Sequence, residues 1–138
     1  MDRVNRERYR EIIGCAAGKR ILVVGDLMLD EFLWGKVSRI SPEAPVPVVQ
    51  VTGESCYPGG AANVARNLRE FTPHVSVMGI TGDDEYGQRL LGLLTEGGID
   101  VLFVERTADR PTTRKTRVIA QQQQMVRVDR ERTGALEG

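Results

Sequence analysis

The stretch Pro58-Gly59-Gly60-Ala61-Ala62-Asn63-Val64-Ala65-Arg66-Asn67 organises the reading of the whole chain. Two glycines ahead of a helical run let the backbone approach a ligand closely and leave the first helical N–H groups free. Ala61 and Ala62 are too small to fill the space in front of them, and the Asn63 amide can both donate to and accept from a hydroxyl. A tight turn followed by a helix packed through its alanines would use the same letters, so the flanking sequence has to decide.

Working outward, Ile21-Leu22-Val23-Val24 is a continuous apolar run closed by Gly25-Asp26, the pattern of a buried parallel strand whose carboxyl end opens onto a site. The helix from Ala61 to about Glu70 is followed by an apolar strand, Val75 to Ile80. A second helix from Gln88 to Glu96 is stopped by Gly97-Gly98, and Val101 to Val104 supplies another strand. Strand, helix, strand, helix, strand predicts an α/β fold with a parallel, Rossmann-like sheet flanked by helices. Asp26 then stands where open α/β sheets bind ligands.

Two segments break this rhythm. Phe32 to Gly35 and Val46 to Val51 read as short strands around the turn-rich Ser41-Pro42-Glu43-Ala44-Pro45, with Pro45 and Pro47 restricting the second to a sheet edge. Near the end, Thr112, Arg114, Thr116 and Val118 alternate with Thr113, Lys115, Arg117 and Ile119, and Met125 to Asp129 forms a return strand. Gln121 to Gln124 reads as the turn region between them. The expectation is an α/β body carrying an inserted β-hairpin lid, its hairpins at 31–52 and 111–130.

At the other end, Arg3 to Ala17 has helical spacing of Val4, Tyr9, Ile12 and Ile13, a helix expected to end at Gly18 and to pack on the domain edge. Gly14 to Lys19 superficially suggests a phosphate-binding loop. Its glycines are one residue too close, Arg20 stands where Ser or Thr is needed, and it precedes a strand instead of following one.

Composition excludes several classes. Nineteen basic residues balance nineteen acidic ones, so no net field steers the chain to nucleic acid or an anionic membrane. Cys15, Cys56 and the single His74 offer neither a disulfide framework nor a zinc site, and both thiols are expected to stay reduced. With neither a signal-like start nor a membrane-length apolar run, the expected location is the cytoplasm. The carboxylates of Thr81-Gly82-Asp83-Asp84-Glu85-Tyr86-Gly87 are explained by Asp83 or Asp84 capping a helix, without a metal.

Gly59-Gly60-Ala61-Ala62-Asn63-Val64-Ala65 followed by Gly82 beyond the next strand resembles the first signature of the ribokinase (PfkB-type) family of carbohydrate kinases. Thr72 departs from that signature, which usually has Gly or Ser there, and a differently shaped connection is expected. A longer run is similar to heptose 7-phosphate kinases of ADP-heptose and lipopolysaccharide synthesis: Gly25-Asp26-Leu27-Met28-Leu29-Asp30, then Ser38-Arg39-Ile40-Ser41-Pro42-Glu43-Ala44-Pro45-Val46-Pro47-Val48. Gln122 to Asp129 resembles that family's second lid hairpin.

The resemblance implies that residues 1–138 are the amino-terminal part of one ribokinase-like kinase domain, truncated before the catalytic residues. The family uses ATP and Mg2+ to phosphorylate a sugar; here the implied acceptor is the anomeric hydroxyl of D-glycero-D-manno-heptose 7-phosphate. Asp26, Asn63, Gly59 and Gly60 would form the sugar pocket, while Asp30 either binds substrate or caps the lid entrance. Arg39, Lys115 and Arg117 are the candidate phosphate cations, set against the plainer alternative of solvated strand-surface charges. A small-molecule sugar phosphate, and a homodimer of the complete enzyme through its lids, are the implied partners. Another ribokinase-like sugar kinase, or a non-catalytic sugar-phosphate-binding module, would share this half. The family's catalytic aspartate, in a Gly-Ala-Gly-Asp type anion hole, is expected beyond residue 138. Purified residues 1–138 should therefore show no ATP-dependent phosphorylation of heptose 7-phosphate, and measurable turnover would overturn that.

Overall fold

The computed structural model describes residues 5–134. Helix α1, Arg6–Ala16, starts with the Asn5 side chain accepting from the Glu7 N–H at 3.2 Å. It is shorter than its periodicity suggests. Arg3 and Val4 fall outside the described residues, and the helix stops at Ala16 with Ala17 still in the right-handed region, so Gly18 is not its cap. Nor does α1 pack on the domain edge: none of its residues is buried, and Tyr9, Ile12 and Ile13 are exposed.

Strand β1, Ile21–Val24, pairs in parallel with β4, Val75–Gly82, which pairs in parallel with β5, Asp100–Thr107. Helices α2, Ala61–Leu68, and α3, Glu85–Glu96, share a core with this sheet, built on Ala62, Ala65, Val75, Val77, Leu90, Leu94 and Ile99. On the opposite face Val24, Met78 and Phe103 stand exposed in one cross-strand row.

Thr72 explains its own departure from the family signature. Its buried hydroxyl donates to the Lys19 carbonyl at 2.7 Å and accepts from the His74 N–H at 3.2 Å. A side chain thus ties the connection leading into β1 to the one leading into β4, a job that Gly has no atoms for.

The largest departure from expectation is the hairpin. Instead of two short strands, β2 runs Leu27–Ile40 and β3 Pro47–Gly60, each 14 residues long and paired antiparallel almost throughout. Gly53, Pro58 and the Gly59-Gly60 pair look like breakers in isolation. Pro58 is tolerated because β3 is an edge strand, where an N–H turned away from the sheet has no ladder bond to lose, and the glycines keep their N–H groups and pair in register. The other flank of β2 is taken by β6, Thr113–Ala120, in parallel, and β6 pairs antiparallel with β7, Gln123–Arg130. The result is one four-stranded sheet in the order β3-β2-β6-β7. Its turn is tighter than expected: Gln121 and Gln122 alone form it, both at positive φ (51° and 63°), while Gln123 and Gln124 already belong to β7.

The two sheets meet where β2 leaves β1. Leu27 and Leu29 are buried in the body's core, so the base of the hairpin is anchored while its far end projects. The face of β6 turned toward the body is polar yet buried, with Thr112, Arg114 and Thr116 each less than 10% exposed. Asp84 caps α3 by accepting from the Gly87 N–H at 2.8 Å, and the same carboxylate accepts from the Thr112 hydroxyl at 2.6 Å and N–H at 2.9 Å. The Arg114 guanidinium lies 3.8 Å from the centroid of the Tyr86 ring and 3.8 Å from Glu31, whose carboxylate accepts from the Thr116 hydroxyl at 2.6 Å.

Three outcomes follow from the fold. Gly60 sits at φ +56°, and a Cβ there would lie 2.5 Å from the Asp26 carbonyl oxygen. Gly60→Ala should therefore cost at least about 2 kcal/mol in denaturant unfolding. Gly92, inside α3 with open space around it, should gain about 0.5–1 kcal/mol as Ala. Burial alone would push the Asp84 carboxyl up, but the hydrogen bonds from Thr112, Gly87 and Tyr86 outweigh it and hold the group below the usual carboxylate range. A lowered folded pKa gives stability that is present above the ordinary value and lost as pH falls through the lowered one. The acid limb of unfolding, below about pH 4, should be shallower in Asp84→Asn than in the parent chain.

Candidate functional site

Each end of the three-stranded sheet carries a cavity. At the amino ends of the strands lies one of about 400 Å3, lined by Arg20, Pro73, His74, Ser76 and Asp100 among others. At the carboxyl ends lies one of about 370 Å3, lined by Gly25, Asp26, Met78, Glu105, Arg110 and Thr113 among others. Open α/β sheets bind ligands at the carboxyl end, where strand ends splay and loops supply polar groups. Of the two, the second is lined by Asp26 and Leu27, which contact the Gly59-Gly60 turn.

The turn is held by backbone contact. Met28 pairs with Gly59 and Leu27 with Gly60, and the Ala61 N–H donates to the Asp26 carbonyl at 3.0 Å. This places the exposed Asp26, at the lip of the cavity, beside the start of α2. Asn63 is exposed on the first turn of that helix.

Four of the candidates share the open face of the hairpin sheet. Asp30 pairs with Tyr57 on β3 and with Lys115 on β6. Its Oδ1 accepts from the Arg117 guanidinium at 2.6 Å, and its Oδ2 lies 2.5 Å from where a Cβ on Gly59 would sit. Lys115 donates to Asp129 at 3.2 Å and to Glu131 at 3.5 Å. The Asp129 hydrogen bond, less the opposing cost of burial, raises the Lys115 pKa, so it is firmly an ammonium. Asp129 is held below the usual carboxylate range by Arg127 first and by Lys115 as well.

Arg39 is not part of this group within one chain. It pairs with Val48 near the hairpin tip, nine residues along β2 from Asp30, which is about 30 Å of strand.

The open face also holds residues that sequence reasoning missed. Phe32 stacks on Trp34 with centroids 5.9 Å apart, meets Tyr57 edge-on at 5.8 Å, and lies 5.2 Å below the Arg117 guanidinium. The signal was present: Met28, Asp30, Phe32 and Trp34 alternate at period two, which places them on one face once the strand is known to be long. On the buried face, Arg114 and Glu31 were passed over because charged letters on an alternating strand read as solvent-facing.

Among the described residues no group of three or more His, Cys, Asp or Glu side chains could hold a metal ion. The glycine-rich turn faces the base of the hairpin and leads into a helix of only eight residues, without the lysine of a nucleotide-binding loop. The polar groups nearest the turn are the Asp26 and Asp30 carboxylates and the Asn63 amide, of the kinds that hydrogen-bond hydroxyls. No described helix is long and apolar enough to cross a membrane.

The chain is 55% identical over 113 residues to the bifunctional protein HldE of Magnetococcus marinus, covering 82% of this chain and 23% of the relative. It is 47% identical over 135 residues to HldE of Trichlorobacter lovleyi, covering 98% of this chain and 28% of the relative. The chain thus spans about a quarter of the length of these relatives. Ribokinase from Arabidopsis thaliana, solved with ribose and ATP, superposes with a TM-score of 0.62 at 17% identity, over 80% of this chain and 35% of that one. Ribokinase from Thermotoga maritima gives 0.59 at 22% identity, with 80% and 35% covered. The model of the pfkB family carbohydrate kinases matches residues 19–138, and the chain belongs to that family.

Proposed function

We propose that this chain supplies the acceptor-sugar site of a heptose 7-phosphate kinase. In that reaction the γ-phosphoryl group of ATP, with Mg2+, passes to the anomeric hydroxyl of D-glycero-D-manno-heptose 7-phosphate, in ADP-heptose and lipopolysaccharide synthesis in the cytoplasm. The observation that carries this is the roughly 50% identity to HldE proteins over most of the chain, which includes Asp26, Asp30, Gly59, Gly60 and Asn63. Structural likeness to ribokinases at 17–22% identity supports the fold alone.

Phosphoryl transfer to a hydroxyl depends on positioning and on charge stabilisation more than on covalent chemistry by the protein. The share of this chain in the reaction is positioning. The carboxylates of Asp26 and Asp30 are acceptor-only groups suited to sugar hydroxyls, and Asn63 adds an amide able to serve as donor or acceptor. Lys115 has three N–H donors and spends two on Asp129 and Glu131, which leaves one for a substrate phosphate. The hairpin sheet acts as a lid that shields the site from water. By family resemblance, the base that deprotonates the acceptor and the nucleotide site are supplied by a Gly-Ala-Gly-Asp type segment and its surroundings, outside the residues assigned here. The complete enzyme is a homodimer through its lids: β7 is an edge strand exposed along its whole length, with Met125, Val126 and Val128 available to a partner.

Calorimetric titration of the chain with heptose 7-phosphate and with the unphosphorylated heptose tests the substrate class. The phosphorylated sugar should bind at least about tenfold more tightly, a difference of about 1.4 kcal/mol. Lys115→Ala should shrink that difference while leaving the unphosphorylated sugar nearly unaffected. Equal affinity for both sugars would point to a kinase of neutral sugars.

A further inference from the structure

Of the proposed phosphate cations, Arg117 is the one paired to Asp30. Its Nη1 donates to Asp30 Oδ1 at 2.6 Å and reaches the Lys115 carbonyl at 3.4 Å, while its guanidinium lies over the Phe32 ring. Both members of the ion pair are about three-quarters buried, with 23% of each side chain exposed. Phe32 is itself fixed between Trp34 and Tyr57. Held in this way, the guanidinium is fixed against Asp30, and turning it toward a phosphate would weaken a short charge-assisted hydrogen bond.

The carboxylate on the other side of that bond is arranged differently. Asp30 gives one oxygen, Oδ1, to Arg117, and the other, Oδ2, looks into the gap where Gly59 has no side chain. A Cβ on Gly59 would stand 2.5 Å from Oδ2 and 2.9 Å from Cγ, and the Asp30 side chain could not retreat without breaking the Arg117 bond. Gly59 and Arg117 therefore act on the same group from opposite sides: one leaves an oxygen accessible and the other stops the carboxylate rotating.

We infer that Arg117 is a positioning residue for Asp30, which presents Oδ2 to a hydroxyl of the sugar, and that Arg117 does not bind the substrate's phosphate. The inference rests on the proposed sugar site and sharpens it: Arg117 contributes to recognition of the sugar's hydroxyls, which phosphorylated and unphosphorylated sugars share.

The test is a double-mutant cycle on the chain, read by calorimetry with heptose 7-phosphate and with unphosphorylated heptose. Far-UV circular dichroism and melting check each variant's fold. Arg117→Ala should weaken both sugars by about tenfold, with their ratio unchanged within about twofold, as expected for a hydrogen bond to a charged group. Arg117→Lys, which keeps a charge and a donor, should recover part of the loss for both. In the Asp30→Asn background, Arg117→Ala should add little, because the group it positions is gone. Should Arg117→Ala fail to fold, the Arg117→Lys comparison between the two sugars decides alone. A loss confined to the phosphorylated sugar, or fully additive losses in the cycle, would overturn the positioning role while leaving the sugar site standing. Failure of the parent chain to bind either sugar would overturn the site and the role together.

Discussion

The close approach of the Gly59-Gly60 backbone to the first turns of β2 governs the rest of this structure. Gly60 faces the Asp26 carbonyl and Gly59 faces the Asp30 carboxylate, each with no room for a Cβ. That contact closes the hairpin base against the body and starts α2 at the lip of the carboxyl-end cavity. Asp26 lies at that cavity, and Asp30, four residues on, lies beside Gly59. Any side chain in place of either glycine would separate the hairpin from the helix that completes the site.

A second, polar interface fixes the direction of the hairpin sheet. Asp84 serves two elements at once, capping α3 and receiving Thr112 at the start of β6. Further along, Arg114 is buried between Tyr86 and Glu31. Apolar packing there would hold β6 with less directional preference, whereas hydrogen bonds to Asp84 specify both distance and angle. Both sides of the hairpin sheet are thereby committed: the inner face to the body, the outer face to Asp30, Lys115, Arg117 and the aromatic group around Phe32.

Much of this was legible in the sequence because the determinants are local. Apolar runs at Ile21, Val75 and Val101 with helical spacing between them give the parallel sheet, and Gly59 to Ala65 carries the turn that opens α2. What could not be read was the length of β2 and β3. Their pairing is set by partners 7 to 33 residues away along the chain, which overrides Gly53 and Pro58. The buried polar face of β6 was hidden for a similar reason: Arg114 reads as solvent-facing until Tyr86 and Glu31, brought in by other elements, are known to cover it. The partners of Lys115 and Arg117 were likewise invisible, since Asp129 and Asp30 reach them only through strand register. The helix expected at the amino end formed, but its apolar stripe of Tyr9, Ile12 and Ile13 found no surface among the described residues.

The central claim is that the hairpin base is where the sugar binds, and amide chemical-shift mapping of the labelled chain during titration with heptose 7-phosphate tests it most directly. The largest shifts should fall on Asp26, Asp30, Gly59, Gly60 and Asn63, with little change at the opposite end of the sheet. Shifts centred on His74, Ser76 and Asp100, around the cavity at the amino ends of the strands, would place the ligand elsewhere and contradict the assignment.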